Sequence, residues 1–192
     1  MPTAVQWILI ILLVVMSAIF SGLTLGLMGL DLTGLEIVME GDNAANSEAA
    51  KKIYPIRKKG NLLLCTLIVG NVAINALLSI LLAEKAGGVL GFVISTCTIV
   101  IFGEILPQAL CSRYALEIGS RTLPLTKIFL FLFWPICAPL AFVLDKFLGD
   151  ELATTYSAAE MKKLLQIHVA EGRFDQETAE TMKGALAYKV RS

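Results

Sequence analysis

One carboxylate, Glu104, stands in the middle of the apolar run IVIFGEILPQAL, and Pro107 follows it three residues later. It is the only charged side chain within three long apolar segments, residues 5–30, 61–83 and 88–112. A carboxylate at the centre of a membrane helix costs about 2.5–3.5 kcal/mol on insertion scales, so something should compensate it. The other two segments offer polar side chains at helical spacing. Ser17 and Ser21 are i, i+4 in the first segment, and Asn71 and Asn75 repeat that spacing in the second, with Ser79 one turn further. All of them carry oxygen and none is basic.

Glycine and proline neighbours add backbone oxygen to this set. Pro107 has no N–H, so the Gly103 carbonyl loses its helical donor and can face a ligand. Gly22 directly follows Ser21, and Gly70 directly precedes Asn71, which lets backbones approach and carbonyls turn. Hydroxyl, amide, carboxylate and carbonyl oxygens without neighbouring sulfur or imidazole suit a hard cation, and magnesium and sodium both fit. Interhelical hydrogen bonding alone, or a protonated glutamate, are the alternatives that the residues leave open.

The elements that must hold these groups are membrane helices. Of 192 residues 56% are hydrophobic and 17% charged, with a mean hydropathy of +0.75. Each of the three segments exceeds the roughly 20 residues that cross a hydrocarbon core about 30 Å thick, and backbone satisfaction in lipid makes each a helix. The first lacks a preceding Lys or Arg and is too long for a signal peptide. A fourth run, 123–144, carries Pro124, Pro135, Pro139 and Lys127 and reads as a bent helix lying along the interface. Lys51, Lys52, Arg57, Lys58 and Lys59 crowd the 31–60 loop, whereas the 84–87 turn holds only Lys85. The positive-inside rule then places the N-terminus outside and the 31–60 loop and the C-terminus in the cytosol.

The expected fold is therefore an all-α membrane protein. Residues 1–148 form a transmembrane domain with juxtamembrane helices within 31–60 and 113–148, and residues 149–192 a cytosolic helical bundle. In that tail Ser157 and Glu160 make a capping box for a helix through about His168, Gly172 breaks it, and Asp175 opens another.

Several function classes lack support. Lys plus Arg equals Asp plus Glu at 16 each, and no basic helix interleaved with aromatics points to nucleic acid. Cys65, Cys97, Cys111 and Cys137 fall in apolar segments without CxxC or Cys/His clustering and read as structural thiols. The single histidine, His168, has no triad partners, and one glutamate without a paired acid or an HExxH motif cannot run intramembrane hydrolysis. The chain is not expected to be an enzyme.

The stretches SAIFSGLTLGLMGLD, LLLCTLIVGNVAINALLSILLA, STCTIVIFGEILPQALCSRYAL and GALAYKVRS resemble the transmembrane domain of the cyclin M (CNNM) and CorB/CorC magnesium transporter family. The resemblance covers nearly the whole chain, and FSG, GN and FGEILPQ in this order on successive spans form its specific part. GLMGLD and PQALCSR look more like the eukaryotic and archaeal branch. The resemblance implies a homodimer in the cell membrane, three spans per protomer, a cytoplasmic belt of juxtamembrane helices, and a helical bundle leading to a CBS-domain pair that binds ATP. That pair lies outside these 192 residues. It further implies that Mg2+ is exported from the cytosol by alternating access in exchange for Na+. Its ion site maps onto Ser21, Asn71 and Glu104, with carbonyls from Ser17, Gly70 or Gly103, while Asn75, Ser79 and Pro107 shape the cavity. The family's tail is an acidic bundle. Here residues 150–192 hold seven acids and six bases, which argues against a strong inhibitory magnesium site there. A second reading from another class is a magnesium-sensing scaffold that regulates a partner channel without transporting.

Overall fold

A computed structural model of the chain describes residues 3–86, 88–148, 158–170 and 180–182. All elements among the described residues are helical. The chain divides into two compact units, Met1–Ala153 and Thr154–Ser192.

In the first unit α1 (Thr3–Met28) and α4 (Asn61–Ala86) are each 26 residues long, about 39 Å of helix. They are linked by a short helical pair, α2 (Leu32–Glu40) and α3 (Ala44–Arg57). Both short helices start on a side-chain cap. Asp31 accepts from the Gly34 N–H at 3.0 Å, and Asn43 accepts from the Asn46 N–H at 3.2 Å. Tyr54 donates to Glu36 across the pair, and that bond to a carboxylate holds the phenol above its ordinary range. Buried Arg57 reaches back to the end of α1, where Nε donates to the Leu30 carbonyl at 2.9 Å and Nη2 to the Met28 carbonyl at 3.4 Å. These carbonyls lie at the C-terminal end of α1, where a cation is favoured. Gly60, at φ 46°, turns the chain from α3 into α4.

The third apolar segment runs from Gly88 to Arg113 in three parts. A regular helix, α5 (Gly88–Thr98), leads into a π-helical stretch, Ile99–Ile105, and then α6 (Leu106–Arg113). Gly88, at φ 55°, starts it in a conformation that a side chain would strain. The fourth run lies within one helix, α7 (Ala115–Leu148), that includes all three prolines. Four stretches are thus long and apolar enough to cross a membrane: Ala4–Met28, Asn61–Glu84, Gly88–Arg113 and Ala115–Phe147.

Packing centres on α1, which meets α4, α6, α7 and the π-helical stretch. Phe20 is the pivot of the apolar core. Its ring stacks on Phe129 at 4.2 Å between centroids, meets Phe133 edge-on at 6.2 Å, and covers Gly70. A Cβ on Gly70 would stand 2.2 Å from that ring. Towards its ends, α7 meets two residues from one end of the α1/α4 pair. Gly119 lies against Leu27, near the last turn of α1, and Asp145 accepts from Asn61, the first residue of α4, at 2.7 Å. Elsewhere large apolar side chains such as Ile8, Ile11, Val72, Ile80, Phe92 and Phe131 are exposed, as lipid-facing surfaces require.

In the second unit, α8 (Ala158–Ala170) matches the expected helix through His168. The capping Ser157, the break at Gly172 and the start at Asp175 lie outside the described residues, while residues 180–182 are helical.

Candidate cation site between α1, α4 and the π-helical stretch

The polar side chains of three apolar helices converge halfway along α1 and α4. Ser17 is fully buried, and its hydroxyl donates to Asn75 Oδ1 at 2.5 Å, with the Gly103 carbonyl a second acceptor at 3.4 Å. Asn75 Nδ2 donates to Glu104 Oε1 at 3.1 Å and to Asn71 Oδ1 at 3.3 Å. The Asn75 amide therefore uses its oxygen and both hydrogens, joining all three helices at one point. Asn71, Asn75 and Glu104 are half-buried.

One turn further towards the C-terminal end of α1 lies a second polar pair. Fully buried Ser21 Oγ accepts from Gln108 Nε2 at 2.8 Å. Ser17 and Ser21 share one face of α1, as their i, i+4 spacing requires, and Glu104 and Gln108 repeat that spacing opposite them. The two layers are Ser17 with Asn75, Gly103 and Glu104, then Ser21 with Gln108.

Backbone geometry explains the convergence. The Leu106 N–H donates to the Ile101 carbonyl, five residues back, so the helix is widened around Gly103 and Glu104. Such π insertions occur often at functional sites, where they re-aim side chains and carbonyls. Pro107 cannot donate to the Gly103 carbonyl, and the Ser17 hydroxyl lies within reach of it instead. Gly103 must remain a glycine for this approach, because a Cβ there would stand 2.7 Å from Ser17 Oγ. Gly22 and Gly26 do the same for the neighbouring crossing, where Cys111 packs directly over both.

Of the residues expected from sequence, Ser17, Asn71, Asn75, Gly103 and Glu104 come together. Ser21 sits one layer away, bonded to Gln108. Asn75, expected only to shape the cavity, is the hub. Gly70 has a steric reason, the seat of Phe20. Ser79 is half-buried and makes no hydrogen bond with the cluster among the described residues, and Pro107 acts through its missing N–H. Gln108 was missed, although its position four residues after Glu104 is the signal that could have found it.

Chemically the cluster offers one carboxylate, two amide oxygens, a hydroxyl and a backbone carbonyl, with no Lys, Arg or His among its hydrogen-bond partners. Among the described residues no three of His, Cys, Asp and Glu lie together as softer metals would want. A hard cation with some retained water suits this donor set.

Residues 8–178 match the family model described as the cyclin M transmembrane N-terminal domain. The chain is 46% identical over 87% of its length to "Metal transporter cnnm-1" of Caenorhabditis elegans, covering 20% of that protein. It is 40% identical over 97% of its length to "Metal transporter cnnm-2" of the same organism, and 36% identical over 86% to "Protein MAM3" of Saccharomyces cerevisiae. It covers 24% of each of these two. The chain thus spans about a quarter or less of these relatives.

Proposed function

Because the chain belongs to the cyclin M transmembrane-domain family, we propose that it is the membrane part of a metal transporter that exports Mg2+ from the cytosol. The observation that carries this reading is the oxygen cluster of Ser17, Asn71, Asn75, Gly103 and Glu104, gathered midway along α1 and α4 against a widened helix. An intramembrane carboxylate without a basic partner calls for a cation, and a site midway along the spans is where alternating access operates.

The bonds that hold the site support a transport cycle. With no ion bound, the Asn75 amide links Ser17, Asn71 and Glu104 and keeps their oxygens from repelling one another. An arriving Mg2+ takes the lone pairs of those oxygens, keeps part of its water shell and releases these cross-links. The helices are then held by the ion, and rearrangement about the small-residue contact of Gly22 and Gly26 exposes it to the other side. Na+ returning through the same oxygens drives the exchange.

The proposed topology has the N-terminus outside, the C-terminus in the cytosol and three crossings in the cell membrane. Contacts near the two ends of α7 support this count. Gly119 and Asp145 are separated by about 39 Å of ideal straight helix, yet both meet the same end of the α1/α4 pair. A helix that crosses alongside α1 and α4 would meet opposite ends, whereas one bent at its prolines along the interface meets one end twice. With α2 and α3 it would form a cytoplasmic belt. In the intact protein two copies would assemble, and a CBS pair beyond this chain would bind ATP.

Purified protein in liposomes with a magnesium-sensitive dye tests the reading. Mg2+ flux is expected to rise with an opposing Na+ gradient and to vanish in Glu104→Gln. Wild-type flux in that variant would remove the site from the mechanism, and Mg2+ binding without flux in the native protein would make it a sensor.

A further inference from the structure

A pocket apart from the Glu104 cluster lies where α4 begins. Lys59, Leu62, Lys127, Leu130, Phe131 and Trp134 line a pocket of about 360 Å³ between the start of α4 and the middle of α7. Lys127, Leu130, Phe131 and Trp134 stand at i, i+3, i+4 and i+7, so they form one face of α7. The lysines carry no ion pair among the described residues, and no acid lines the pocket. Phe131 is 85% exposed and Trp134 59%, an arrangement costly in water and natural against lipid. Lys59 lies in the α3–α4 turn two residues before Asn61 opens an apolar helix, the position where a flanking lysine meets lipid headgroups.

We propose that this pocket binds an acidic phospholipid. The headgroup phosphate is held between the Lys59 and Lys127 ammonium groups, and one acyl chain runs along Leu62, Leu130, Phe131 and Trp134. The sign of the charge selects the ligand class, since two cations without a counter-ion attract an anion and basic pockets between membrane helices favour anionic headgroups. The aromatic floor directly below the charge selects a lipid over a free anion, because a soluble phosphate would leave that floor uncovered. The lysine stems lie over apolar surface while their heads reach the headgroup layer. A lipid seated here would join the α4 start to α7, beside the Asn61–Asp145 bond.

The test uses the full chain in detergent, titrated with dioctanoyl phosphatidylserine, dioctanoyl phosphatidylcholine and glycerophosphoserine, with adducts counted by native mass spectrometry. The expected result is one retained phosphatidylserine, preferred over phosphatidylcholine and not displaced by glycerophosphoserine. The Lys59→Gln/Lys127→Gln variant should bind it about tenfold more weakly or worse. Phe131→Ala/Trp134→Ala, which alters only exposed side chains, should weaken the intact lipid several-fold. Lys51→Gln/Lys52→Gln removes the same charge from α3 outside the pocket and should bind as wild type. Three results would overturn the proposal: equal loss in that control, unchanged binding in Lys59→Gln/Lys127→Gln, or displacement by glycerophosphoserine. Acetylation of Lys59 and Lys127 should be blocked by phosphatidylserine. Protection that followed protein concentration instead would give the pocket to a second copy of the chain.

Discussion

Two neighbouring seams of α1, adjacent because Ser17 and Phe20 stand at i, i+3, are built on opposite terms. In one, Phe20 fills the space over Gly70 and stacks on Phe129, leaving no room for even a methyl group. In the other, Ser17 and Ser21 face amides, a carboxylate and a carbonyl, joined by single hydrogen bonds rather than packed shape. Packing through small residues and aromatic contact holds membrane helices together, because lipid supplies no hydrophobic drive between them. Interhelical hydrogen bonds in the same setting average only about 0.6 kcal/mol, so the polar side can open and close at little cost. One seam fixes the fold while the other stays exchangeable, as an ion site that must release its cargo requires.

Substitutions should separate the two seams. Phe20→Ala is expected to lower stability by roughly 3 kcal/mol, the low end for a buried phenylalanine since in lipid mainly the cavity part is lost. Thermal unfolding in detergent would show it, and Mg2+ affinity in the folded fraction should stay within about twofold. Asn75→Ala should do the reverse. Calorimetric titration is expected to show Mg2+ binding at least tenfold weaker, because the Asn75 Oδ1 ligand is lost, with stability lowered by about 2 kcal/mol at most for its three hydrogen bonds. If Asn75→Ala unfolded the protein as much as Phe20→Ala, the division between the seams would be wrong.

Smaller effects sharpen the picture within the polar seam. Gly103→Ala places a methyl 2.7 Å from Ser17 Oγ, so Ser17 must move, and ion affinity should fall several-fold with the helices still formed. Gln108→Ala leaves the buried Ser21 hydroxyl without its donor. It should cost about 0.6 kcal/mol in a thermal melt and slow flux less than any change in the Glu104 layer.

Much of this was legible in the residues. Glu104 stood out because an intramembrane carboxylate needs a partner, and the i, i+4 pairs on the first two spans named most of the groups that meet it. Their ranking was not legible. Asn71 and Asn75 have equal standing in sequence, and which amide reaches across depends on how α4 is rotated against α1, a matter of packing. The register of α6 against α1 likewise puts Ser21 beside Gln108 and not Glu104. Gly70 read as a source of carbonyl oxygen because it precedes Asn71, and its lack of a side chain also accommodates Phe20, a residue far away along the chain. Pro107 signalled a freed carbonyl at Gly103 correctly in kind, yet the widening over Ile99–Ile105 has no local sequence mark. The 123–144 run lies within one helix, Ala115–Leu148, that passes through all three prolines. How it lies against α1 and α4 depends on contacts near its two ends, which hydropathy does not report.

The central claim is that the Glu104 layer holds the ion. Equilibrium Mg2+ binding to the purified protein, measured by calorimetry for wild type and Glu104→Gln under identical detergent and salt, tests it most directly. One saturable site in the wild type and none in the variant is the predicted result, with both proteins melting within a few degrees of each other. Undiminished Mg2+ binding by a folded Glu104→Gln protein would contradict it.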